Sequence, residues 1–256
     1  MITLKESLTE AMQIMLDTIS WKEPEGITAG WPHFDQLVRG LRAGSLTVLA
    51  SRPSLGKTAF ALNIVRNLMG RNPETPVLYC SSLSATELTL RLLTILSGVK
   101  SSFEHGLSAD ESARLTELVK DIRDYPLRFA DSRIMDERFF RTVTGLQEKN
   151  GFGLMVIDPV LPDHLPRLLQ LANELMVPVL ALVSIQKGNG HIPGADLADT
   201  VICLHRDRME TKAEGGAPVC FIVSRNRFGL CGTCRMNFIP QTMRFEDIPD
   251  NEDKGE

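Results

Sequence analysis

The sequence predicts an α/β fold: a mostly parallel central sheet, helices on both faces, and an antiparallel hairpin at the C-terminal end. Three observations predict it. Short continuous apolar runs alternate with longer amphipathic segments from Leu46 to Leu182. A phosphate-loop string, Ser51-Arg-Pro-Ser-Leu-Gly-Lys-Thr58, joins the first such run to the first such segment. After Gly194 the runs become strand-like and are separated by turns that contain glycine.

The elements follow in order. Leu4, Leu8, Met12, Met15 and Ile19 recur at spacings of three and four, the stripe of an amphipathic helix. Trp21-Lys-Glu-Pro-Glu-Gly26 then breaks the pattern, so residues 1–25 read as a linker helix that packs on its own core or docks on a neighbouring subunit. Strands are predicted at Leu46–Ala50, Pro76–Cys80, Leu127–Ala130, Leu154–Ile157 and Val177–Leu182. Helices are predicted between them at Lys57–Met69, Ala85–Leu96, Ser108–Asp121, Asp136–Glu148 and His164–Leu175. Thr200–Leu204, Val219–Ser224 and Thr233–Phe238 read as strands, the last two as the hairpin. One domain spans residues 26–246, and residues 247–256 form an acidic, disordered tail.

Composition supports a globular chain. Of the 256 residues, 43% are hydrophobic and 23% charged, which supplies a core and excludes wholesale disorder. The net charge of −4 is concentrated at the end: residues 246–256 hold six acidic side chains against Lys254, which leaves the remainder near neutral. The five cysteines are an odd number in a long chain, so a disulfide-stapled secreted domain is not expected. Charged residues interrupt the N-terminal helix, so it has no signal-peptide core. The longest apolar stretch, Val177–Val183, contains Pro178 and is too short for a bilayer. A cytoplasmic protein with no membrane partner is expected.

The phosphate loop carries the chemistry. In Ser51, Arg52, Pro53, Ser54, Leu55, Gly56, Lys57, Thr58 and Ala59, the glycine lets backbone N–H groups turn toward phosphate oxygens. Lys57 adds a point charge, and Thr58 offers a hydroxyl to Mg²⁺. The first position is Ser51, where the general pattern has glycine. Asp158 ends the apolar run Gly153-Leu-Met-Val-Ile and can hold the water shell of Mg²⁺. A nucleotide phosphate and Mg²⁺ are therefore the expected ligands. Cys231-Gly-Thr-Cys234 is half a zinc site that Cys203 and Cys220 could complete, although no second ligand pair has the spacing. Asp163 reads as a cap for the helix that follows it.

Several segments together resemble the C-terminal ATPase domain of DnaB-family replicative helicases. They are Gly26-Ile-Thr-Ala-Gly-Trp-Pro-His-Phe-Asp-Gln-Leu37, Ala50–Asn63 with its Arg-Pro-Ser-x-Gly-Lys-Thr-Ala-Phe string, Gly153–Asp158, Gly194-Ala-Asp-Leu-Ala-Asp-Thr-Val201, Leu204-His-Arg-Asp207, and Arg225-Asn-Arg-Phe-Gly229. The likeness covers about residues 26–246. It implies a RecA-like P-loop fold, a homo-oligomeric ring with ATP between subunits, and single-stranded DNA through the pore. The 1–25 helix would be the family's linker helix, and the family's separate N-terminal domain is expected to be absent. Arg227 occupies the position of the arginine finger, and Arg225 that of a lysine near the same phosphate.

The departures bear on activity. The resemblance places Ser82 where the family has its catalytic glutamate, and a serine is no carboxylate base. Glu87 is nearby on the next helix and is a weak substitute. Pro159-Val-Leu replaces the family's Tyr-Leu-Gln, Phe228 replaces an asparagine, and the sensor glutamine falls at Val183 or Ser184 with Gln186 displaced. The two DNA-facing insertions are short, leaving Lys187 and His191 as the obvious phosphate contacts. Two functions follow from these residues: an ATP-dependent DNA helicase module with attenuated hydrolysis, or a non-hydrolysing relative that assembles with, loads or inhibits a replicative helicase.

Overall fold

A computed structural model describes Leu8, Met12 and residues 26–100, 106–185, 192–206 and 216–248. Leu8 and Met12 are helical and exposed. The rest of the predicted linker helix, Lys187, His191 and residues 249–256 lie outside the described residues.

The helices are α1 (Pro32–Val38), α2 (Lys57–Arg71), α3 (Ala85–Ser97), α4 (Ala109–Ile122), α5 (Glu137–Asn150) and α6 (Leu165–Leu175). The strands are β1 (Leu46–Ser51), β2 (Val77–Ser81), β3 (Leu127–Asp131), β4 (Leu154–Val160), β5 (Val179–Ser184), β6 (Thr200–His205), β7 (Ala217–Asn226), β8 (Gly232–Ile239) and β9 (Arg244–Asp247). They form one nine-stranded sheet in the order β3-β2-β4-β5-β1-β6-β7-β8-β9. The strands from β3 to β6 in that order run parallel, and β6 to β9 pair antiparallel.

Two apolar layers enclose the sheet. One face of β1, β2, β4 and β5 packs with Phe139, Phe140 and Val143 of α5 and Leu165, Leu168, Leu171 and Ala172 of α6. The other packs with α1, α2 and α3. Every residue of β1 is buried, which is why the central strands read as continuous apolar runs without alternation. Aromatic rings fasten the antiparallel end to α2. Phe60 stacks on Trp31 at 4.9 Å and meets Phe221 at 4.4 Å, and the Trp31 indole N–H donates to the Phe245 carbonyl at 3.0 Å.

The structure corrects three boundaries. The C-terminal end is a four-strand antiparallel run with β9 on its edge, so Asp247 belongs to the sheet and not to the acidic tail. Phe245, buried against Phe60, Phe221 and Phe238, holds that strand in place. The short helix α1 is an addition to the expected elements, anchored by Phe34 and Val38 in the core. Asp163 does not cap α6: it lies inside a 3₁₀ turn, Pro162–His164, which runs straight into the helix with no side-chain cap.

Candidate functional site

The parallel strands β1, β2 and β4 deliver their C-terminal residues to one edge of the sheet. Ser51 lies opposite Ser184, and Ser81 lies opposite Asp158. The loop after β1 carries Ser54 at φ 64° and Gly56 at φ 104°, so the chain turns sharply before α2 begins at Lys57. Gly56 is required twice. Its backbone is in the left-handed region, and a Cβ there would come within 3.2 Å of the Phe245 ring. The N–H groups of the first turn of α2 have no partner within the helix, and they carry the positive end of its dipole.

Lys57 is buried, and its ammonium donates to the Ser51 carbonyl and hydroxyl, both at 3.1 Å, and to the Arg52 carbonyl at 3.4 Å. Burial pushes its pKa down, and the Asp158 charge opposes that shift. The Thr58 hydroxyl donates to Asp158 Oδ2 at 2.6 Å across 100 residues of sequence. Burial raises the Asp158 pKa; the Thr58 hydrogen bond, the Lys57 charge, the Tyr79 hydrogen bond and the Arg91 charge act against it. A hydroxyl and a carboxylate this close are hard oxygen donors of the kind Mg²⁺ takes, and a buried ammonium beside open helix N–H groups suits phosphate. The residues thus fit a nucleotide with its metal.

The remaining predicted residues divide by place. Ser82 is exposed just beyond β2, with its backbone N–H bonded to the Asp158 carbonyl at 3.2 Å. Glu87 is exposed, and its carboxylate folds back onto the start of α3, accepting the Ser84 backbone N–H at 2.9 Å and hydroxyl at 2.8 Å. Those bonds hold its pKa below the ordinary glutamate value. Val183 is buried, and Ser184 is exposed at the end of β5.

Arg225 and Arg227 are not at this edge. Arg225 pairs with Val201, and the Arg227 backbone N–H donates to the Asp199 carbonyl at 2.9 Å. Asp199 in turn bonds the first residue of β1, accepting the Leu46 N–H at 3.0 Å. Arg227 is therefore at the N-terminal end of β1, about 16 Å from Ser51 at ~3.3 Å per residue. Its guanidinium is exposed and pairs with Asp199 Oδ1 at 3.2 Å. Cys234 is buried opposite Phe221, and no disulfide joins any of the five cysteines. Among the described residues no group of three or more histidine, cysteine or acidic side chains is placed to hold a metal. Sequence reasoning missed Asp199 and Tyr79. The Tyr79 hydroxyl in a mainly apolar strand was a readable signal; Asp199 stood in the Gly194–Val201 string, but nothing in that string pointed to its bond with Leu46.

The sequence profile of the DnaB-like helicase C-terminal domain family matches residues 26–161. The chain belongs to that family. It is 26% identical to the replicative DNA helicase DnaB of Geobacillus stearothermophilus over 91% of this chain and 59% of that protein. It is 29% identical to the DnaB of Treponema pallidum, over 86% of this chain and 56% of that protein. The chain thus spans somewhat under two thirds of these relatives. Among solved structures, the ATPase domain of G40P superposes with a TM-score of 0.82 at 19% identity, covering 96% of this chain and 99% of that one. A DnaB-like replicative helicase solved with reference to its interactions with primase also gives 0.82 at 19%, over 97% of this chain and 68% of that one. The fold of this DnaB-family chain is RecA-like. Among the described residues no helix is long and apolar enough to cross a membrane.

Proposed function

We propose that this DnaB-like chain binds ATP–Mg²⁺ between neighbouring copies in a ring, as a replicative helicase module of attenuated hydrolysis. The observation that carries the reading is the separation of Lys57, Thr58 and Asp158 from Arg227 by the length of β1. An arginine about 16 Å away along a buried strand serves no phosphate at its own chain's loop, so it acts on a neighbour's. Lys57 exchanges the Ser51 and Arg52 carbonyls for phosphate oxygens. The loop N–H groups cradle the same oxygens. Thr58 and Asp158 hold the metal, which neutralises phosphate charge when bound.

Attenuation rests on Ser82, whose hydroxyl can place a water but cannot take its proton as a carboxylate does. The DNA-facing connection after β4, Leu161-Pro-Asp-His164, contains no lysine or arginine, which supports a weakened grip on single-stranded DNA. Glu87 favours a second reading: with its carboxylate committed to the Ser84 cap, it supplies no free base, as suits a non-hydrolysing relative assembled with a replicative helicase.

Steady-state ATPase with and without single-stranded DNA, against Lys57→Ala, separates the two. Slow turnover above that control, stimulated by DNA and unchanged in Glu87→Ala, is the expected result. Turnover equal to the control excludes the helicase reading and leaves the second.

A further inference from the structure

We propose that the Tyr79 hydroxyl is a positioning group of the nucleotide site: it holds the Asp158 carboxylate in place through Oδ2 and so sets the Mg²⁺ requirement for nucleotide binding. The inference rests on the ATP–Mg²⁺ reading above and names a residue that reading does not use.

Tyr79 lies in the middle of β2, between Phe129 of β3 and Val156 of β4, and is fully buried. A ring packed in this layer needs no hydroxyl to fill its space, and a buried tyrosine hydroxyl finds a hydrogen-bond partner. Here the partner is Asp158 Oδ2 at 3.4 Å, the same oxygen that accepts from Thr58 at 2.6 Å. Lys57 does not compete for the carboxylate, because its ammonium hydrogens go to Ser51 and Arg52. The two donors differ in kind. Thr58 opens a helix at the loop, where its hydroxyl is half-buried and turns about one bond. Tyr79 has its ring buried in the apolar layer between the sheet and helices α1–α3, so the oxygen of its hydroxyl is held in place. Asp158 itself sits where β4 slips against β5, between Ile157 and Val160. The β5 side leaves Asp158 unpaired; β2 holds its backbone through Ser81 and the Ser82 N–H, and the Tyr79 hydroxyl adds the constraint on its carboxylate. With Oδ2 engaged by both donors, Oδ1 is free of hydrogen bonds to the described residues and open to a metal-bound water.

The test is Tyr79→Phe, which keeps the ring and removes the hydroxyl. Binding of a fluorescent ATP analogue is titrated with Mg²⁺ and again in EDTA, with the melting temperature as the check on folding. The half-saturating Mg²⁺ should rise on the order of 10-fold, the lower end for loss of a hydrogen bond to a metal-holding carboxylate, while affinity in EDTA stays at the wild-type value. In an Asp158→Asn background the same change should have no further effect on Mg²⁺ dependence. An unchanged Mg²⁺ midpoint in Tyr79→Phe, or an equal loss in EDTA and in Mg²⁺, overturns the positioning role. Wild-type chain that binds no analogue above Lys57→Ala overturns the nucleotide reading with it. A second measurement does not depend on the Phe variant folding. In Tyr125→Phe the chain keeps Tyr79 as its one tyrosine, and the tyrosine Raman doublet reads whether its phenol donates. A doublet showing a donor that shifts when Mg²⁺ is added to the nucleotide complex supports the role; a doublet showing no donor overturns it.

Discussion

Replacing Asp199 by alanine should destabilise the protein far more than replacing Arg227, although the two side chains form one ion pair. The Asp199 side chain is 7% exposed and that of Arg227 71%. Oδ1 of Asp199 takes Arg227, but Oδ2 accepts the N–H of Leu46 at 3.0 Å, the first residue of the central strand, which is fully buried. Asp199→Ala leaves that N–H with no side-chain acceptor, and an unsatisfied buried donor costs about 1–3 kcal/mol. Arg227→Ala removes a solvent-screened partner worth about 0–1 kcal/mol and leaves the Leu46 bond intact. For a domain of this size each kcal/mol lowers the melting temperature by roughly 2–4 °C. A loss of about 2 kcal/mol in Asp199→Ala therefore corresponds to roughly 4–8 °C, against roughly 4 °C or less for Arg227→Ala. Asp199→Asn keeps an oxygen for Leu46 and should fall between them. Urea unfolding followed by circular dichroism, run as a double-mutant cycle, measures all three. Equal losses for Asp199→Ala and Arg227→Ala, or an Asp199→Asn as weak as the alanine variant, would refute the reasoning, because the ion pair and not the backbone bond would then carry the energy.

Gly56→Ala forces a side chain onto a φ of 104° and within 3.2 Å of the Phe245 ring, so it should cost about 1–3 kcal/mol and weaken nucleotide binding together. Calorimetry with a fluorescent nucleotide titration checks both, and a wild-type melting temperature would mean the loop is unstrained. Asp35 gives a pH signature. Burial raises its pKa above the ordinary 3.8 despite backbone N–H bonds from Ala29, Gly30 and Trp31 and the nearby Arg71 charge. The native state therefore holds this proton more tightly than the unfolded chain does. That contribution to stability is complete below 3.8 and is lost as pH rises through the raised native value. Wild type should lose unfolding free energy relative to Asp35→Asn as pH rises through that window, and the two should then run parallel; a constant difference would contradict it.

The alternation of strand and helix from Leu46 to Leu182 was legible because every central strand is buried on both faces and every helix must show one apolar stripe. The helix α1 was not, because two turns are too few to display a period and hold their shape only once Phe34 and Val38 are in the core. Charge misdirected the reading of β9: Asp247 looks like tail, but Phe245 two residues before it is buried and brings it into the sheet. Glu87 shows a signal left unused. Ser84-Ala-Thr-Glu87 has capping-box spacing, and both reciprocal bonds are present in the structure.

Local chemistry explains what the sequence by itself determined. A glycine, a lysine and a threonine between an apolar run and a helix point to phosphate, and beside that loop an acid at the end of another apolar run points to a metal. The tertiary structure alone decided which of these groups meet. The parallel register of β2 with β4 and the crossover to β1 bring Asp158 to Thr58 across 100 residues. The antiparallel return of β7 carries Arg227 to the opposite end of the sheet, and packing turns the Tyr79 hydroxyl toward Asp158. Such meetings depend on which strands become neighbours. That is settled by burying two apolar faces at once, a property of the whole sheet that no single segment contains.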